Sequence, residues 1–351
     1  MKRAMTDRGL TPYLKEVGRG AKGRRDLTYQ EARQAADLIC DGMCTDAQLG
    51  AFLLAERVKG ESADELAAFV AALRDRSQRM VPACPEAIDC AGPYDGRSHS
   101  FMATVAAGMV LAAAGVPVIL HGSATLPPKQ GVTVAEVLHE LGLAFPADPA
   151  GASRVLVETG LVYLDTEVWC PPLARLRRVR QELGMRTLLN TAEKFLNLGG
   201  AAHTIAGVFH GAAAAAAASL VSRLGYRRAA VVQGVDGSED VPVHRDSLLY
   251  VIQGDRVEEG RVEPAALGVA AACPRVLWGA KEQAERIRAV LRGEADWEQA
   301  MVILNAGLRL WVAGRAEDVR EGVALAREAL GSGRARERLA HLQAVCAAYR
   351  P

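Results

Sequence analysis

From residue 28 to about 79, apolar positions recur every three to four residues in three successive runs, the spacing of helices with one buried face. Each run opens on a hydroxyl residue, Thr28, Thr45 or Ser62, and Glu31 follows Thr28 at the interval of a capping box. A small all-helical unit is predicted. After Pro82 and Pro85 the pattern changes to short β-branched runs alternating with helical ones: strand 87–90, helix 99–114, strand 116–120, helix 133–142, and later strands at 229–233 and 248–252. The alanine tract 212–218 continues into Leu220, Val221 and Leu224 and reads as a tightly packed helix between strands. Cys170-Pro171-Pro172 opens another helix, through Leu173, Leu176, Val179 and Leu183 to Gly184. Residues 278–351 read as mostly helical. The predicted fold class is α/β, a small helical domain beside a larger α/β domain whose strand and helix alternation calls for a mostly parallel central sheet.

Residues 115–142 hold the densest chemistry. A buried run, Val116 to Leu120, ends at His121-Gly122, crosses a polar loop with Lys129 and Gly131, and enters an amphipathic helix. Loops of that kind bring free N–H groups and a positive dipole end to the carboxyl edge of a sheet, where anions bind. Shortly before it stands a glycine turn, Gly92-Pro93-Tyr94-Asp95-Gly96-Arg97, and much later an acidic turn, Asp236-Gly237-Ser238-Glu239-Asp240.

Composition narrows the field. Lysine plus arginine (42) balance aspartate plus glutamate (41), so no global field draws polyanions and any nucleic-acid role needs a local patch. The seven cysteines form no CxxC pair, which argues for reduced thiols, against a zinc site, and for a cytoplasmic protein. The uncharged run 101–120 is broken by Gly115 and Pro117 and reads as a buried helix followed by a buried strand, with no membrane span expected. The basic N-terminus lacks an apolar segment of a secretory signal.

The glycine turn, the His-Gly loop and the later acidic pair, in this order, resemble the anthranilate phosphoribosyltransferase family of glycosyltransferases (family 3), over nearly the whole chain. The resemblance implies a basic leader (1–26), a discontinuous helical domain (27–82 plus 168–198), an α/β phosphoribosyl-binding domain (83–167 plus 199–351), and a homodimer formed through the helical domain. It also implies a phosphoribosyl diphosphate donor, or a similar sugar phosphate, with Mg2+. On that reading the donor's phosphates meet Gly92, Asp95, Gly96, Arg97, Thr104, His121, Gly122, Ser123 and Lys129; Glu239 and Asp240 hold the metal; and Arg186, Asn190 and Cys170 face the acceptor. No catalytic side chain is singled out, because diphosphate departs from an oxocarbenium-like centre that needs chiefly positioning and charge neutralisation.

Several family positions are changed. Tyr94 brings a side chain where the family has glycine, and Pro93 removes a donor N–H. The family's Asn-x-Ser-Thr is Phe101-Met102-Ala103-Thr104, its lysine before His-Gly is Leu120, the residues after it are Ser123 and Ala124, and an acceptor-side histidine is Cys170. Each lost polar contact is worth about 1 kcal/mol or more. The expectation is therefore a pentosyltransferase with a remodelled donor site and an acceptor other than anthranilate. The leader Tyr13 to Gly20, the Cys-Pro-Pro-Leu at 170–173 and the loop at 126–133 also look like a divergent paralogous branch that includes nucleic-acid-binding members. The alternative is therefore a non-catalytic homodimer tracking phosphates with Arg175, Arg177, Arg178 and Arg180.

Overall fold

The computed structural model describes residues 9–81 and 83–350. Helices Tyr29–Cys40, Asp46–Lys59 and Ala63–Asp75 form the N-terminal bundle. Each begins where the sequence pattern placed it, and all three carry a full capping box, with Thr28 paired to Glu31, Thr45 to Gln48 and Ser62 to Glu65. A fourth box, Thr133 with Glu136, opens Val134–Glu140. The stretch read as a basic leader differs from expectation. Residues 11–17 form the helix Thr11–Val17, packed on Asp46–Lys59 with Leu10 and Val17 buried. Two of its neighbouring cations are spent locally, Arg19 on Glu16 and Arg25 on Glu16 and Glu31. Residues 1–8 of that leader lie outside the described residues.

The α/β part is a seven-stranded sheet: β1 (Ile88–Ala91), β2 (Val118–Gly122), β3 (Leu161–Asp165), β4 (His203–Val208), β5 (Arg228–Gln233), β6 (Ser247–Gln253) and β7 (Arg256–Val262). Their order is β3-β2-β1-β4-β5-β6-β7. The first five run parallel, and β6 and β7 extend the sheet antiparallel. Helix Ala103–Ala113, buried along its length, covers one face together with Trp297–Val312 and Arg334–Cys346. No helix among the described residues is long and apolar enough to cross a membrane.

Strand order reverses at β1, whose neighbours are β2 on one side and β4 on the other. Open α/β sheets bind ligands in the crevice at the carboxyl ends of such a switch point. Here the bundle roofs that crevice. After β3 the chain runs into Pro171–Leu183, which buries Leu173, Leu176 and Val179 and packs on Asp46–Lys59, and then into Leu189–Ala192, which touches Ala63–Asp75. Arg74 ties the bundle to the sheet unit by donating to the carbonyls of Phe195 (2.8 Å) and Leu224 (3.2 Å) and to the Tyr226 hydroxyl (3.3 Å).

Candidate active site

The crevice at the switch point is a cleft of about 290 Å³. Pro93, Tyr94 and Asp95 after β1 form one wall, and Gly207 to His210 at the end of β4 form another. Arg57, Glu61 and Leu66 of the bundle close it from above, and Arg186, Asn190 and Lys194 come from the segment that returns to the bundle. Phe209, 55% exposed, and Ala213, Ala216 and Ala217 supply an apolar side.

Two loops cross at its floor. Arg97 and Val132 make an antiparallel bridge, Arg97 N to Val132 O at 2.8 Å and Val132 N to Arg97 O at 3.0 Å. The crossing depends on two glycines: a Cβ on Gly96 (φ +76°) would lie 2.2 Å from Gly131 O, and one on Gly131 would lie 2.4 Å from Arg97 O. The contact brings Asp95 and Lys129 together, Nζ to Oδ1 at 3.2 Å, while Arg186 Nη2 reaches the other oxygen at 2.6 Å. Asp95 thus sits buried between two cations. Lys194 is a third cation, donating weakly to Gly207 O (3.3 Å) and Gly237 O (3.4 Å). Burial lowers its pKa to about 8, with Glu239 opposing the shift and Arg186 and Lys129 reinforcing it. Burial likewise lowers that of Lys129, against the pull of Asp95.

A parallel-stranded crevice lined by cations and roofed by a helical bundle finds its counterpart among known proteins. The family model "Glycosyl transferase family, a/b domain" matches residues 85–336, and "Glycosyl transferase family, helical bundle domain" matches residues 11–77. An anthranilate phosphoribosyltransferase of Methylobacterium sp. (strain 4-46) is 37% identical over 95% of this chain and 98% of its own length. One from Natronomonas pharaonis is 33% identical over 94% and 98%. This chain belongs to the anthranilate phosphoribosyltransferase family. The crystal structure of the Thermus thermophilus member superposes with a TM-score of 0.77 at 28% identity, covering 92% of this chain and 97% of that one. The Saccharomyces cerevisiae member, in complex with phosphoribosyl diphosphate and Mg, shares the fold at a TM-score of 0.81, 18% identity, and 98% and 99% coverage.

Against that family pattern, the residues expected to meet the donor divide into two groups. Asp95 lines the cleft, and Gly92, Gly96 and Lys129 lie beside it just beneath, where Gly92 approaches Glu239: a Cβ added to it would lie 3.6 Å from Oε2. Arg97, His121, Ser123 and Thr104 do not reach the cleft. Arg97 is buried against Glu239 and Asp240. His121 is sealed between Tyr94, whose hydroxyl is 2.5 Å from Nδ1, and Asp89, 3.3 Å from Nε2, so the tyrosine that replaced a family glycine occupies the histidine's polar edge. The Tyr94 hydroxyl also donates to Glu193 O at 3.0 Å, and burial raises its pKa well above the ordinary value. Ser123 Oγ donates to Ala124 O and accepts from Arg177, and the carbonyl of Gly122 accepts from Thr166. Thr104 donates its N–H to Asp240 and accepts from Arg309.

On the acceptor side Arg186 lines the cleft. Asn190 also borders it, but its amide oxygen accepts from Thr187 N at 2.9 Å and serves the local turn. Cys170 is fully buried, its thiol directed to Leu73 O at 3.8 Å, and does not line the cleft.

The acidic pair corrects a further expectation. Glu239 and Asp240, expected to hold the metal, are both 0% exposed and lie in the core. Asp240 accepts from Arg97 Nη2 on Oδ2 (2.7 Å) and from Arg309 Nη2 on Oδ1 (2.8 Å); Glu239 Oε1 lies 3.3 Å from Arg97 and 3.8 Å from Arg309. Burial would raise the Asp240 pKa, but the two guanidiniums outweigh it and hold the carboxyl below its usual range. Two arginines therefore neutralise two carboxylates, and the pair does not fit a divalent cation as it stands. Sequence reasoning missed Arg309, Lys194 and Asp89. Arg309 sits 69 residues from its partner inside an ordinary helical pattern, and nothing local marks it.

The four arginines of Pro171–Leu183 are also spent within the chain. Arg175 donates to Cys40 O; Arg177 pairs with Glu167 (2.6 Å) and bonds Thr125 O and Ala124 O; Arg178 pairs with Asp46 and Glu182; and Arg180 is buried on Glu193 (2.6 Å). A phosphate-tracking groove needs free cations on one face, and three of these four are already paired with carboxylates.

Proposed function

We propose that this chain transfers a pentosyl phosphate group from phosphoribosyl diphosphate, or a close analogue, through a remodelled donor site, to an acceptor other than anthranilate. The observation that carries the reading is the placing of Arg186 and Lys194 in the lining of the cleft at the strand-order reversal, with Lys129 just behind, paired to the lining residue Asp95. Asp95 holds two of those cations in place until an anionic donor arrives and competes for them. Positioned cations in a partly dry cleft neutralise the departing diphosphate, which is most of what this chemistry asks of a protein. Phe209 and the alanines beside it give a planar apolar acceptor a wall, with Arg186 available to an acidic substituent. Cys170, buried away from the cleft, and Asn190, whose amide oxygen serves the local turn, weaken the case for anthranilate itself. Magnesium accompanies phosphoribosyl diphosphate in the yeast relative, and a diphosphate chelates it with its own oxygens.

The test is diphosphate release from phosphoribosyl diphosphate and Mg2+ in the presence of anthranilate or of a panel of aromatic and heteroaromatic acids. Turnover with another acceptor and none with anthranilate is expected. Efficient turnover of anthranilate overturns the acceptor assignment.

The homodimer through the helical domain belongs to the same proposal. Leu54 and Val58, one turn apart on Asp46–Lys59, are 42% and 63% exposed, an apolar strip left uncovered among the described residues. Sedimentation of the protein as a monomer at micromolar concentration would remove it. A cytoplasmic location agrees with all seven cysteines being free.

A further inference from the structure

The geometry points to Arg97 as a built-in substitute for a divalent cation: its guanidinium occupies the position between Glu239 and Asp240 that a metal would take, closes the pair to metal ions, and its removal opens a divalent-cation site. The inference stands on the ion cluster and needs no donor to bind.

Three observations carry it. First, the charges already balance. Arg97 and Arg309 face Glu239 and Asp240 at side-chain exposures of 1% or less, so a divalent ion added to the intact cluster would leave two uncompensated buried charges. Second, Arg97 is anchored where it is. Its backbone is fixed by the bridge to Val132, and Nη1 donates to Phe101 O at 3.2 Å, so withdrawing the side chain gives up that bond as well as both carboxylate contacts. Third, one carboxylate oxygen has no partner. Glu239 Oε2 is buried and without a hydrogen bond, facing the turn at Gly92. Removing the guanidinium would free Asp240 Oδ2 and Glu239 Oε1 beside it and leave the cluster with net negative charge. Hard cations take oxygen ligands of this kind and complete their shells with water.

A consequence follows for the proposed chemistry. Magnesium at the cleft is carried in by the diphosphate and is not held in advance by Glu239 and Asp240.

Mn2+ alone, without donor, is the probe, read as loss of the free-ion paramagnetic resonance signal and as a shift in Tm. The parent protein is expected to bind no Mn2+ at up to millimolar concentration. Arg97→Ala is expected to bind one Mn2+, to gain at least about 5 °C in Tm on adding it, and to lose both effects with Asp240→Asn added. If Arg97→Ala does not fold in chelator, refolding on Mn2+ addition is the expected result, and Arg97→Gln, which keeps much of the packing, gives the binding measurement. The inference is overturned if the parent binds Mn2+ in a manner abolished by Asp240→Asn. It is equally overturned if neither Arg97 variant binds the ion. A failure of phosphoribosyl transfer would leave both measurements unaffected.

Discussion

Arg309→Met tests whether the acidic pair is structural. The guanidinium is 1% exposed and lies 2.8 Å from Asp240 Oδ1, 3.3 Å from Thr104 Oγ1 and 3.0 Å from Asn305 O. Methionine fills much of the same space, so the loss is mainly electrostatic: Glu239 and Asp240 are left with Arg97 alone and one uncompensated buried charge. Breaking a buried pair from one side costs about 3–5 kcal/mol. For a protein of this size each kcal/mol lowers Tm by about 2 °C, giving a fall of about 6–10 °C. Thermal and urea unfolding followed by circular dichroism measure it. The double variant Arg309→Met/Asp240→Asn should recover part of the loss, because the remaining Arg97 and Glu239 balance one to one, and the coupling between the two sites should exceed about 1 kcal/mol. A single-variant loss below about 1 kcal/mol, or simple additivity in the double variant, would mean that the cluster is not charge-locked and the reasoning fails.

Two further outcomes are expected. Glu56 sits buried with its pKa pushed up to about 8 by burial, with Glu65 adding and Lys59 opposing, from an ordinary 4.5. Its contribution to stability is therefore whole below about pH 4.5 and lost as pH rises through 8, so Glu56→Gln should raise Tm over the parent at about pH 8.5 and leave it little changed at about pH 4.5; equal Tm differences at both pH values would contradict this. Because Arg175, Arg177, Arg178 and Arg180 are all engaged, a salt titration against a short single-stranded oligonucleotide should show no steep, salt-dependent binding at physiological ionic strength, and Arg178→Glu should change nothing.

Much of the frame was legible in the sequence because it rests on local chemistry. The hydroxyl-to-acid spacing at Thr28 fixes a helix start wherever it occurs, and the β-branched run before His121 can only be buried; the strand lies at Val118–Gly122, two residues from its predicted place. Strands β3, β4 and β7 were not marked. β4 mixes His203, Thr204 and Gly207 into its run, and β7, Arg-Val-Glu-Glu-Gly-Arg-Val, is a largely exposed edge whose polarity resembles a loop.

The site was legible as a location and less so as a set of side chains. Asp95 and Lys129 meet, in keeping with the family resemblance that put both at one site. Whether a cation faces a ligand or a buried carboxylate depends on partners 69 to 142 residues away, as with Arg309 on Asp240 and Arg97 on Glu239. Periodicity carries no information about such pairings, and a family motif reports a position without reporting who else occupies it. Arg97 looked like a phosphate ligand because it sits in the right turn, yet its side chain folds back beneath that turn.

The central claim, that the cations of the cleft receive an anionic sugar-phosphate donor, is tested most directly by calorimetric titration of phosphoribosyl diphosphate with Mg2+ into the parent protein and into Lys194→Met. One saturable site is expected in the parent, weakened at least about tenfold by the substitution, as the loss of a charged hydrogen bond implies. The parent's affinity should fall as pH rises through about 8, where Lys194 loses its proton, and that pH dependence should vanish in the variant. Absence of binding at millimolar donor, or binding indifferent to Lys194, would contradict the account.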